Sequence, residues 1–268
     1  VKKEFTVKTK IAACLALVIL TGCAKSSTGR NQITLFSDEE LNTMGSQSFE
    51  EMKKAEKIST NKSTNSYVQC VAQSIIKHVP ESAHKGEWEV VVFDSEQVNA
   101  FALPGGKIGV YIGILEVAST PDQLAAIIGH EVGHVIEHHS NERLSANKLS
   151  QTGLAAAAIA LKTADVQEEG IWMAGLGLGV QYGVLMPYSR AHESEADIVG
   201  QDLMVRAGYD PAASIELWKN MSKLGGGSQP EFMSTHPSNT TRINQLGEHL
   251  AVSNKLYEKG SAASCKKA

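Results

Sequence analysis

The 268-residue chain lacks the basic excess of a nucleic-acid binder: 25 Lys and Arg stand against 29 Asp and Glu, for a formal charge of −4. It also lacks an unbroken apolar run of the roughly 20 residues that a spanning helix needs. Its clearest apolar run, Ile11 to Leu20, is about half that length. No internal repeat is visible. Four cysteines do not make a small disulfide scaffold, and 42% hydrophobic with 20% charged residues excludes a disordered chain. What is present suffices for one good-sized core or two small ones.

The N-terminal segment reads as a targeting signal. Lys2, Lys3, Lys8 and Lys10 precede the apolar run, and Leu20-Thr21-Gly22-Cys23 follows it, which marks residues 1–22 as a signal peptide. Leu-x-Gly-Cys resembles the bacterial lipobox, which implies that Cys23 is diacylated and anchors the protein in a membrane. The alternative is an ordinary cleaved signal with an incidental cysteine. Ala24, where an aspartate would mark inner-membrane retention, points to the periplasmic face of the outer membrane. The leader carries +3 of the chain's charge, leaving −7 on the remainder, so an acidic body should meet anionic lipid only through its anchor. Residues 23–36 read as a solvated linker, 37–250 as one continuous domain and 251–268 as a tail. Cys70 and Cys265 would lie in an oxidising compartment, either paired or as isolated thiols, and sequence spacing does not decide between them.

Helical apolar spacing covers residues 38–57, behind a Ser37-to-Glu40 capping pattern, and residues 64–79. Val90 to Phe93 reads as a strand. Asn99 to Tyr111 reads as a hairpin folded at Pro104-Gly105-Gly106, where proline then glycine suits the centre of a type II turn. Thr120-Pro121-Asp122-Gln123 then supplies a cap, an N1 proline and a capping-box glutamine. The helix they start runs into His130-Glu131-Val132-Gly133-His134. Histidines four apart share a helix face and can aim at one metal, with Glu131 placed to act on a water there. His138 and His139 extend this helix as structural or supporting residues.

A catalytic zinc site takes three protein ligands. The extended pattern with a third histidine fails, because Glu137 and Ser140 occupy its glycine and histidine positions, and Gly153 stands where some aminopeptidases carry a glutamate. The remaining candidate is Ser189-Arg190-Ala191-His192-Glu193-Ser194-Glu195-Ala196-Asp197. On a helix, Glu193, Ala196 and Asp197 share a face, and the small alanine lets that face press on another helix while the carboxylates reach a metal. Glu193 is then the third ligand, Asp197 a carboxylate bonded to a ligand imidazole, and Arg190 a supporting residue nearby; Glu195 points elsewhere. An Arg190–Glu193 surface pair is the alternative.

Asn99 to Gly106, His130 to His134, Ser189-Arg190-x-x-Glu193-x-x-Ala196-Asp197, His236-Pro237 and Arg242-Ile243 occur in this order. The set resembles the zinc metallopeptidases that include the HtpX heat-shock protease and the CAAX prenyl endopeptidases, peptidase family M forty-eight, and most closely their soluble lipoprotein branch. The resemblance implies an α+β, mostly helical, zincin-like fold with a small sheet beside the active-site helix. It supports Glu193 as the third ligand of one zinc beside His130 and His134; Glu131 then serves as general base, and the edge strand at Asn99, Ala100, Phe101 and Ala102 suits an extended polypeptide substrate. Quality control of misfolded or outer-membrane proteins, with envelope assembly machinery as a partner, would suit the location; a non-catalytic metal-binding or chaperone-like lipoprotein is the alternative.

Leu154 to Leu161 and Ile171 to Met186 read as packed helices rich in small residues rather than membrane-dipping elements. Gly208 ends one helix, Asp210-Pro211 starts the next, and Gly225-Gly226-Gly227 reads as a mobile hinge before His236. Three roles suit His236: stabilising an oxyanion, which the reading slightly favours, closing the open zinc position as a latch, or capping the next helix.

Overall fold

The computed structural model describes residues 23–164, 169–180, 186–223, 231–237, 240–257 and 264–267; the leader and the Gly225-Gly226-Gly227 segment lie outside the described residues. In chain order the first elements are β1 (Cys23–Lys25), β2 (Asn31–Ile33), α1 (Asp38–Ala55), α2 (Lys62–Ile76), β3 (Glu89–Phe93), β4 (Ala100–Leu103) and β5 (Lys107–Tyr111). Helices follow: α3 (Ile114–Val117), α4 (Pro121–Ile136), α5 (His139–Thr163), α6 (Glu169–Val180), α7 (Met186–Arg206), α8 (Ala212–Lys223), α9 (Glu231–Thr235) and α10 (Thr240–Leu256). The fold is α+β and mostly helical. Two compact units divide the chain: one of Asp38–Ser140 with residues from Pro187 onward, the other of the segment up to Ser37 with Asn141–Met186.

The larger unit is built on a three-stranded sheet ordered β3-β5-β4, with β5 parallel to β3 and antiparallel to β4. Pro104, Gly105 and Gly106 close the hairpin, and Gly105 has the positive φ, 87°, that a type II turn needs at its third residue. The strands alternate. Val90, Val92, Ala100, Ala102, Ile108 and Val110 enter the main core, while Phe93, Phe101 and Tyr111 gather with Phe49 on the other face. Phe101 lies across Gly109, where an added Cβ would come within 2.2 Å of the ring. Beside the sheet runs α4, buried on nearly all sides and therefore apolar except where it carries chemistry.

Asn61 caps α2, accepting from the Ser63 and Thr64 amides at 3.0 and 3.1 Å, which starts that helix two residues before the sequence pattern does. Thr120 caps α4 through the Gln123 amide at 3.2 Å, but the Gln123 side chain reaches back to the Ser119 amide rather than to Thr120 itself. The expected extension of α4 through His138 is corrected: the helix ends at Ile136, and His138 sits in the left-handed region at φ 52°. That residue turns the chain, and α5 starts afresh at His139. Cys70 and Cys265 form a disulfide with Cα atoms 5.6 Å apart, tying the tail to α2.

In the smaller unit β1 and β2 form a short antiparallel ribbon. Arg30 and Gln32 on this ribbon reach Glu142 of α5, while Ser145 and Asn141 accept from the Leu35 and Phe36 amides. Among the described residues no helix is long and apolar enough to cross a membrane.

Candidate metal centre

Small residues let α4 and α7 touch. A Cβ on Gly133 would stand 2.9 Å from the Ala196 carbonyl oxygen, and one on Gly129 2.7 Å from that of Gly200. With the backbones this close, Glu193 and Asp197 reach the histidines of α4. His130 Nε2 lies 3.2 Å from His134 Nε2 and 3.4 Å from Glu193 Oε2, and His134 Nε2 lies 3.5 Å from Glu193 Oε1. From α9, His236 brings Nδ1 to 3.2 Å from His130 Nε2 and 3.1 Å from Glu193 Oε2. All four side chains present a ligand atom within 4.8 Å of one another.

This spacing passes a simple test. Ligands about 2.0–2.1 Å from a tetrahedral ion stand roughly 3.3–3.4 Å apart, close to the separations measured. The protons agree: His130 Nδ1 is 2.9 Å from Asp197 Oδ1, so Nδ1 carries the hydrogen and Nε2 turns its lone pair toward another imidazole and a carboxylate. Lone pairs that converge in this way fit a cation, and nitrogen with carboxylate donors fit zinc.

Arg242, which the sequence shows only as part of a motif, holds both carboxylates. Its Nε and Nη2 clamp Asp197 at 2.6 and 2.7 Å, and Nη1 reaches Glu193 at 2.9 Å. The guanidinium is buried and lies 3.9 Å over the Trp218 ring. Arg190, expected in a supporting role, is exposed on the first turn of α7, and among the described residues the arginine on Glu193 is Arg242. Glu195, expected to point elsewhere, does turn away from the Glu193 group. It is buried and meets His139 at 3.1 Å, while His139 Nδ1 stands 2.8 Å from His134 Nδ1. The missed signal was the turn at His138, which a continuous helical reading hides.

Burial dominates the electrostatics. It raises the Glu131 carboxyl above its ordinary value, with partial offset from His236 and His130. Burial also lowers His134, to well below the usual imidazole range. It would lift Glu193 and depress His130, but hydrogen bonds reverse both: His130 and His236 hold Glu193 well down, and Asp197 and Glu193 push His130 up to about 9. Glu131 Oε1 is buried with no hydrogen-bond partner among the described residues, and His236 Nε2 stands 3.5 Å away.

β4 lies at the sheet edge next to this group. The Tyr111 amide donates to the Asn99 carbonyl at 3.1 Å, which sets the ladder so that Phe101 and Leu103 bond inward to β5. Ala100 and Ala102 then turn their backbone groups to the outer edge, and Ala102 reaches Glu131.

Residues 62–250 match Peptidase family M48. The chain is 37% identical over 189 residues to the mitochondrial metalloendopeptidase OMA1 of Schizosaccharomyces pombe, covering 70% of this chain and 53% of the relative. It is 25% identical to metalloprotease YcaL and 24% identical to metalloprotease LoiP of Escherichia coli, over 91% and 92% of this chain and 97% and 98% of theirs. The chain thus spans about half the length of this OMA1 relative and nearly all of YcaL and LoiP. A matched stretch that holds the helix pair, the histidines and the glutamate of a zinc site places this chain in peptidase family M48, whose members are zinc metallopeptidases.

Proposed function

We propose that the chain is a zinc metalloendopeptidase that cleaves polypeptides in the bacterial cell envelope, in quality control of misfolded or outer-membrane proteins. One observation carries the catalytic part: His130, His134 and Glu193 converge at tetrahedral spacing beside Glu131, a buried carboxylate with one oxygen that takes no hydrogen bond among the described residues. Zinc, when held by those three residues, supplies Lewis-acid chemistry that polarises a carbonyl or a water. Glu131 takes the proton of the attacking water and returns it to the leaving amine; burial, by raising its pKa, suits both directions of transfer. Asp197, clamped by Arg242, keeps the His130 proton on Nδ1. The outward backbone groups of Ala100 and the Ala102 carbonyl offer an extended polypeptide a strand edge to pair with, while the Ala102 amide is held by Glu131.

His236 is read as a latch. Its Nδ1 stands at ligand spacing from His130 and Glu193, a position that closes the site to substrate until α9 moves. His236→Ala should therefore raise basal proteolysis; a fall in turnover at unchanged zinc content favours the oxyanion role instead.

Acylation at Cys23 and residence on the periplasmic face of the outer membrane complete the proposal. The Cys70–Cys265 disulfide supports an oxidising compartment. Cys23→Ala should move the protein from the membrane fraction to the soluble envelope fraction.

The deciding experiment measures zinc content and cleavage of an unfolded protein by the wild type and Glu131→Gln. One zinc per chain in both, with turnover lower by several orders of magnitude in the variant, is expected. Near-normal turnover by the variant overturns the role of Glu131, and no cleavage by either leaves the chaperone-like reading.

A further inference from the structure

The two ligand histidines are backed differently. His130 gives its Nδ1 hydrogen directly to the carboxylate of Asp197 at 2.9 Å. Behind His134 stands another imidazole, His139, with Nδ1 to Nδ1 at 2.8 Å. A neutral histidine that binds metal through Nε2 carries its hydrogen on Nδ1. His134 Nδ1 therefore donates, and His139 Nδ1 must be the bare, accepting nitrogen. The hydrogen of His139 then sits on Nε2, which donates to Glu195 Oε2 at 3.1 Å. With His134 as a ligand, one set of tautomers satisfies both contacts.

The surroundings hold this chain in place. His139 and Glu195 are buried, and the His192 ring stacks on His139 with centroids 4.2 Å apart and planes 19° from parallel. The left-handed turn at His138 is what returns His139 to face His134; on an uninterrupted helix a residue five positions on would point away. An L-residue at positive φ costs stability unless the structure gains from the turn, and here the gain is this contact.

We propose that His139 and Glu195 are positioning residues for the zinc ligand His134, fixing its tautomer and ring orientation through an imidazole relay where His130 uses a carboxylate alone. The proposal rests on the reading of His130, His134 and Glu193 as zinc ligands. It assigns Glu195 a part in the reaction that acts through His139 and His134 and touches neither substrate nor metal.

The test uses the full chain with two readouts besides activity: zinc affinity by chelator competition at fixed pH, and the absorption spectrum of the cobalt(II)-substituted protein. His139→Phe keeps a flat ring for the His192 stack but removes the acceptor. It should weaken zinc binding by roughly ten- to a hundredfold, alter the cobalt spectrum and lower kcat with little change in KM. Glu195→Gln keeps an accepting oxygen for His139 Nε2 and should retain more zinc affinity than Glu195→Ala, which removes it. If His139→Phe does not fold, Glu195→Ala takes its place, with weaker zinc binding expected. Wild-type affinity and an unchanged cobalt spectrum in the folded variant overturn the relay. Failure of the underlying reading looks different: the wild type holds no stoichiometric zinc, or His134→Ala binds it as tightly as the wild type.

Discussion

In the smaller unit, Glu142 is fully enclosed and receives Arg30 through Nη1 at 2.8 Å and Nη2 at 2.5 Å, with Gln32 Nε2 at 3.0 Å. In the larger unit, Arg242 grips Asp197 in the same two-pronged manner and still has Nη1 for Glu193. The first cluster is closed, because each carboxylate oxygen of Glu142 meets a donor. The second is open: after Arg242 and the His130 hydrogen are used, the lone pairs of His130, His134 and Glu193 still point at one another. A closed polar cluster serves to hold a ribbon on a helix, whereas an open one in a buried place needs a cation.

Removing the open side of the second cluster should have the largest effect. A His130→Ala, His134→Ala double variant should lose stoichiometric zinc and all chelator-sensitive proteolysis, measured by metal analysis and cleavage of an unfolded protein. Glu142→Gln should leave both unchanged; zinc loss in that variant would break the distinction between the clusters.

Arg242→Met leaves two buried carboxylates without their guanidinium. Its cost should reach about 3–5 kcal/mol in denaturant unfolding of the metal-free protein, and shrink when zinc is present, since the ion neutralises Glu193. An equal cost with and without zinc would show that Arg242 does not share a charge balance with the metal. Glu142→Gln should cost less, about 1–3 kcal/mol, because Arg30 is partly exposed and recovers hydration.

The smallest effect belongs to a surface cluster. Burial opposes the charge of Glu89, but hydrogen bonds from Lys53 and Lys107 outweigh it and lower its pKa. A carboxylate lowered on folding adds stability above its unfolded pKa of about 4.3, and loses it as pH falls through the lower folded value. Glu89→Gln should therefore cost under about 1 kcal/mol at neutral pH, and the gap to wild type should vanish in acid. A gap that persists in acid would mean the loss is one of packing and not of charge.

Legibility followed the range of the interaction. His130, Glu131 and His134 were readable because one helix turn sets their relation, and Glu193 with Asp197 because Ala196 between them marked a packing face. The hairpin was readable from Pro104 and Gly105. Arg190 is near Glu193 in sequence but exposed, while Arg242, which holds Glu193 and Asp197, arrives from α10, 45 residues beyond Asp197. Glu195 was set aside because helical periodicity turns it away from Glu193, and periodicity says nothing of a partner on another element.

The sequence by itself determined the metal-binding helix, its carboxylate partner, the hairpin edge and the family, since each depends on residues a few positions apart. Tertiary structure alone decided which arginine holds the two carboxylates, that Cys70 meets Cys265, that His236 stands at ligand spacing, and that His139 meets His134 with Glu195 behind it. The reason is geometric: a helix or a turn fixes neighbours within about a turn of one another, whereas contacts between distant segments are set by how buried faces pack, and here by glycines that let α4 and α7 touch.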